Sequence, residues 1–154
     1  MLIILKILYT AFNGKLNSSK ILLDKIKTSN KLYLTNSFST SVNQLKKELK
    51  NNSYDLIISF GQAPLDTDNI RIETIGQNKE IYITKYDYIS LQNKLIFNNY
   101  KATISNDAGN YLCNNIYYHG LKYIEDNNIN TKMIFIHIPE INQISDIDNL
   151  AKLF

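Results

Sequence analysis

Three side chains of this 154-residue chain have types and settings suited to nucleophilic chemistry: Cys113, His137 and Glu73. Cys113 follows the turn-forming run Ser105-Asn106-Asp107-Ala108-Gly109 and falls where a stretch of helical spacing begins. A lone helical cysteine is more often a small buried hydrophobe than a nucleophile. Its position argues for the second role: in a first helical turn, unpaired N–H groups and the helix dipole stabilise a thiolate, so a lowered thiol pKa is expected. His137 sits near the C-terminal end of an apolar run, where its imidazole can emerge from the core and act as the base. The bland alternative is a core histidine satisfied by a carbonyl. His119 lies six residues beyond Cys113 on the same helix, a rotation of about 240°, and is therefore expected to be structural or exposed. Glu73, on an alternating stretch, can orient His137 and stabilise its protonated form, or be an ordinary strand-face carboxylate.

The elements that must present these groups follow from hydrophobic spacing. Leu2 to Tyr9 is an apolar run broken only by Lys6, the pattern of a strand buried on both faces, leading into a loop at Thr10-Ala11-Phe12-Asn13-Gly14. From Asn17 onward, Ile21, Leu22, Lys25 and Ile26 follow helical spacing, with Asn17 or Ser18 as N-cap. Leu32 to Leu34 predicts a short strand. Ser41 with Gln44 matches a capping box, and Val42, Leu45 and Leu49 carry a second helix towards Asn51. Tyr54 to Phe60 is the clearest internal strand, with Gly61-Gln62-Ala63-Pro64 as the turn that ends it. Ile70 with Ile72, and then Ile81 to Thr84, alternate as further strands. Tyr88 to Asn98 favours helix, Ala102 to Ser105 strand, Tyr111 to Ile124 helix, and Met133 to Ile138 a last buried strand stopped by Pro139. This alternation predicts a three-layer α/β/α fold with a mostly parallel or mixed central sheet, a single domain over residues 1–154. Sites in such sheets gather where strands end and helices begin, and Gln62, Cys113 and His137 all fall there.

Composition narrows the function classes. With 44% hydrophobic residues the chain can bury roughly two-thirds of its unfolded surface around a core. The net charge of +3 is spread along the chain without a like-charge block, so nucleic-acid binding has no support, and Lys46 with Lys47 reads as a solvated helix face. No apolar run approaches the ~18 residues of a membrane span, and the first nine residues lack a signal peptide's length and cleavage site. A single cysteine fits a reducing compartment, so a cytoplasmic location is expected. Neither a metal site nor a cofactor is expected.

Three blocks, with two weaker ones, resemble the pyroglutamyl peptidase I (pyrrolidone-carboxylate peptidase) family of cysteine peptidases. Ser105-Asn106-Asp107-Ala108-Gly109-Asn110-Tyr111-Leu112-Cys113-Asn114, ending after an apolar stretch at Gly120, is similar to the family's nucleophile block. Phe135-Ile136-His137-Ile138-Pro139 is similar to its base block, at the same spacing. Ile70-Arg71-Ile72-Glu73, with Asn78 five residues later, resembles the segment supplying its glutamate. Gly61-Gln62-Ala63, Leu8 to Phe12 and Asn17-Ser18-Ser19 resemble two weaker blocks.

The resemblance implies removal of pyroglutamate from the N-termini of peptides, with Cys113 as nucleophile, His137 as base and Glu73 holding the imidazole. It also implies Phe12 as a pocket wall, Asn17 and Gln62 in the pocket region, and a homo-oligomer. Several departures bear on specificity. The first loop is shortened to Ala11-Phe12-Asn13-Gly14, without a second Phe to sandwich the lactam. Pro64-Leu65-Asp66 replaces Gly-Gly-Arg, and the loop beyond Asn78 is cut. An Arg that the family uses near the oxyanion is replaced by Ile83, with Lys79 or Lys85 as imperfect substitutes. Two other readings therefore stand beside the first: a cysteine amidase or peptidase for another small substrate, and a non-catalytic binding protein on the same fold.

Overall fold

An apolar sequence becomes a strand only where a neighbour pairs with it, and this decides where the first strand begins. In the computed structural model, which describes residues 2–154, β1 is Ile7–Phe12 rather than Leu2 to Tyr9. Its partner β3, Leu56–Gln62, starts opposite Ile7, and the Lys6 amide turns to the Asp55 carboxylate at 2.7 Å. Leu2 to Leu5 have no ladder and are exposed. Thr10 to Phe12, expected in a loop, instead finish the strand, because β2 (Lys31–Leu34) pairs with them as far as Leu34.

Among the described residues the main sheet has six strands in the order β2-β1-β3-β8-β4-β7, where β4 is Asn69–Glu73, β7 is Lys101–Ser105 and β8 is Lys132–Ile138. The pairs β2/β1, β1/β3, β3/β8 and β4/β7 are parallel, and β4/β8 is antiparallel. A two-stranded antiparallel ribbon, β5 (Ile75–Gln77) with β6 (Ile81–Ile83), follows β4. On one face, α1 (Ser18–Lys25), α3 (Tyr88–Phe97) and α5 (Ile147–Ala151) cover a core containing Tyr9, Ile58, Ile72 and Ile136. On the other, α2 (Phe38–Asn51) and α4 (Leu112–Asp126) cover Leu8, Ile57, Met133 and Phe135. This is the expected α/β/α arrangement with a mixed, mostly parallel sheet.

Local details differ from the sequence reading where a side chain serves another purpose. The cap of α2 is Ser37, accepting from the Thr40 amide at 3.3 Å, so Ser41 lies inside the helix and its hydroxyl turns back to Phe38 O. Gln44, expected in a capping box, accepts from the Thr35 amide instead. Gly61 and Gln62 continue β3 rather than turning, paired with His137 and Ile138. The short C-terminal helix α5, capped by Asp146, had no counterpart in the sequence pattern.

Candidate active site

Strand alternation assembles the site. On β8, Met133, Phe135 and His137 point to the α2/α4 face, and on β3 Ile57, Ser59 and Gly61 do likewise. Gly61 is the register partner of His137 on one side, and Arg71 of β4 is its partner on the other. Glu73, two residues beyond Arg71 on the same face, reaches back so that its Oε1 lies 2.7 Å from His137 Nδ1. Tyr117 of α4 ties this strand to the helix by donating from its hydroxyl to Glu73 O at 2.9 Å.

Cys113 is the second residue of α4 and a free thiol, half-buried. The turn before it is held by Asp107, whose carboxylate accepts from the Gly109 amide at 2.9 Å, and Gly109 has φ +86°. Tyr111, the N-cap, makes no side-chain cap, so the amides that open the helix are left for another acceptor; the first intrahelical bond is Asn115 N to Tyr111 O. Sγ occupies the space that a side chain on Gly61 would need: a Cβ there would meet Sγ at 2.6 Å and the Phe135 ring at 2.8 Å. The thiol therefore rests over the strand next to His137's own, the two backbones lying ~4.8 Å apart. The imidazole packs on Phe135 at 5.0 Å, and with Nδ1 directed to Glu73 its Nε2 is the ring nitrogen left for another partner.

The charges differ from the simplest expectation. Burial, with the negative charge of Glu73, pushes the Cys113 thiol up to about 12 against a smaller opposing pull from Arg71, so the resting group is a neutral thiol and not the thiolate expected from the helix start. Glu73 is fully buried, which raises its pKa, but His137, the neighbouring Ser105 hydroxyl and Arg71 outweigh that and hold it below the ordinary carboxylate value.

Of the residues expected to line a pocket, Phe12 is buried on the Cys113 face. Asn17 and Gln62 are engaged in the fold at the start of α1: Asn17 Oδ1 accepts from the Ser19 amide at 2.9 Å, and Gln62 Oε1 from the Ser18 amide at 2.9 Å. His119 is half-buried against Tyr118, and burial together with Lys46 and Lys122 lowers its pKa. Lys79, Lys85 and Ile83 are all exposed on or beside the β5/β6 ribbon.

Two members of the site escaped the sequence reading. Arg71, 31% exposed, donates from Nε to Glu73 Oε1 at 2.6 Å, and its Nη2 lies 3.4 Å from His137 Nδ1. Its signal was present: residues two apart on a strand share a face. The sequence pattern places Gly61 in a turn, although glycine inside a strand also marks close approach by another group. An exposed aromatic pair, Phe38 and Tyr111, stacks edge to face at 5.4 Å beside the start of α4, with no signal in the linear sequence.

A cysteine at a helix start, a histidine at a strand end and a carboxylate on that histidine form the arrangement that nucleophilic cysteine chemistry requires, here set on an α/β/α fold. Comparison with known proteins narrows the class. The model describing the pyroglutamyl peptidase family matches residues 80–152. Pyrrolidone-carboxylate peptidase 2 of Caldanaerobacter subterraneus subsp. tengcongensis is 30% identical over 167 aligned residues, covering 88% of this chain and 81% of that protein. The pyrrolidone-carboxylate peptidase of Brachyspira hyodysenteriae is also 30% identical, over 77% of this chain and 71% of its own. The fold is that of pyroglutamyl peptidase I from Bacillus amyloliquefaciens, with a TM-score of 0.87 at 19% identity over 97% of this chain and 92% of that one. The chain belongs to the pyrrolidone-carboxylate peptidase family.

Proposed function

We propose that this chain is a cysteine peptidase that removes pyroglutamate from the N-termini of peptides, with Cys113 as nucleophile, His137 as base and acid, and Glu73 as the group that orients the imidazole. The observation that carries the reading is the row across the sheet: Sγ seated over Gly61, His137 beside it, and Glu73 2.7 Å from Nδ1. Membership in the family supports the substrate.

With the thiol pKa pushed up to about 12 by burial and by Glu73, Cys113 needs a base to take its proton before or as it attacks. His137 Nε2 takes the Sγ proton as sulfur bonds to the pyroglutamyl carbonyl carbon, and Nδ1–H keeps its bond to Glu73, which stabilises the imidazolium. The amides opening α4, the Cys113 N–H among them, are the donors for the oxyanion. The C–N bond then breaks, the imidazolium proton goes to the leaving amine, and the peptide departs with a free N-terminus. Water attacks the thioester while His137 takes its proton, and that proton returns to sulfur as pyroglutamate leaves. Phe12 would wall the lactam, with Asn17 and Gln62 at the pocket's edge. The reaction requires reduced Cys113, which suits the cytoplasm.

The test is release of the fluorophore from a pyroglutamyl amide by the purified chain, with Cys113→Ala as control. Turnover that vanishes in the variant supports the reading. A silent wild-type protein in which substrate amides other than pyroglutamyl are cleaved through Cys113 favours the amidase, and one with no turnover of any amide favours a binding protein.

A further inference from the structure

We propose that Arg71 is a positioning residue of this site, fixing the Glu73 carboxylate against His137 Nδ1–H and balancing its charge beside the Cys113 thiol; the role rests on the triad reading above. Arg71 is the direct partner of His137 across the antiparallel β4/β8 ladder and lies two residues before Glu73 on the same face. From that position the guanidinium donates from Nε to Glu73 Oε1 at 2.6 Å, while its Nη2 lies 3.4 Å from His137 Nδ1, which directs its own proton to Glu73 and accepts none from the arginine. The imidazole and the guanidinium converge on a single carboxylate oxygen, while Oε2 is buried without a hydrogen-bond partner among the described residues.

A buried carboxylate anchored through one oxygen is free to turn and carries a charge that the interior penalises. The guanidinium answers both, since its Nε–H adds a second donor to Oε1 beside the imidazole and its charge is opposite. Exposure makes this inexpensive: the Arg71 side chain is 31% exposed, against 0% for Glu73 and 5% for His137, so the cation stays hydrated while the anion does not. Glu73 and Arg71 act on the thiol with opposite signs.

The test compares wild type with Arg71→Met, Arg71→Lys and Glu73→Gln in two measurements. The first is the pH profile of Cys113 alkylation by iodoacetamide, which needs no turnover; the second is kcat and KM on a pyroglutamyl amide. Arg71→Met is expected to move the alkylation profile to higher pH and slow alkylation about threefold or more at fixed pH. Glu73→Gln should move the profile to lower pH, and Arg71→Lys should stay nearer wild type than Arg71→Met, because it keeps the charge without the fork. Arg71→Met should lower kcat by about 10- to 100-fold with KM within about twofold, as expected for a misoriented base. Unchanged profile and kcat in Arg71→Met overturn the proposal, as do shifts of the same sign in Arg71→Met and Glu73→Gln. If Arg71→Met loses its melting transition, the Arg71→Lys and Glu73→Gln profiles carry the comparison. Opposite shifts without any pyroglutamyl turnover would uphold the role of Arg71 and defeat the peptidase reading instead.

Discussion

Replacing Gly61 by alanine tests whether Cys113 Sγ is held where the site needs it. A Cβ at that position lies 2.6 Å from Sγ and 2.8 and 2.9 Å from two atoms of the Phe135 ring, about 0.8 Å inside the 3.4 Å at which ordinary contact begins for the sulfur. Gly61 is in a strand, where alanine by itself would stabilise by roughly 0.5–1 kcal/mol. Overpacking a close-fitted site costs about 1–3 kcal/mol, so the collision outweighs that gain and a net loss of stability is expected. Either Sγ or the Phe135 ring must move, and a nucleophile displaced by nearly 1 Å loses on the order of 100-fold in rate, which corresponds to ~2.7 kcal/mol of transition-state stabilisation. The assay is kcat/KM on a pyroglutamyl amide together with the thermal midpoint. A background of Cys113→Ala separates the two collisions: with the sulfur removed, the stability penalty of Gly61→Ala should shrink but not disappear, because Phe135 remains. A Gly61→Ala protein with wild-type kcat/KM and an unchanged midpoint would refute the placement of Sγ over this glycine.

Other expectations follow from the same geometry. Glu73→Gln keeps the shape but loses the charge that stabilises the imidazolium, and kcat should fall by about 100-fold; a fall of less than twofold would remove Glu73 from the reaction. The carboxyl's pKa is depressed in the fold, so its stabilisation is complete above its ordinary value of 4.5 and is lost as pH falls below that towards the depressed one. The melting temperature of wild type should therefore drop more steeply in that acid range than that of Glu73→Gln, and parallel curves would contradict this. Asn17→Ala removes the cap of α1 and should cost about 1 kcal/mol, a decrease of ~2–4 °C in melting temperature; an accompanying rise in KM would support its place at the pocket, and an unchanged KM would reduce it to a cap. Iodoacetamide should alkylate wild-type Cys113 slowly at pH 7, its rate climbing well into the alkaline range, whereas rapid alkylation at neutral pH would mean that the thiol is not held up by burial.

The sequence by itself determined what is written in contiguous residues. The alternation of apolar strands with amphipathic helices sufficed for the α/β/α layers, because helix and strand periods are local properties of the chain. Cys113 at a helix start and His137 at a strand end were legible for the same reason, each set by a turn or a proline a few residues away. The tertiary structure decided everything that depends on which strand lies beside which. Leu2 to Leu5 are as apolar as the strand they precede, yet remain exposed because β3 offers nothing to pair with before Leu56. Gly61 reads as a turn until Cys113, from another layer, is seen to fill the space of its missing side chain. Arg71 and Glu73 became neighbours of His137 only because β4 runs antiparallel to β8, a pairing between segments more than sixty positions apart that no local pattern encodes. The thiol's acidity was decided at this level too: the helix start argues for a lowered pKa, and burial with the charge of Glu73 pushes Cys113 up to about 12.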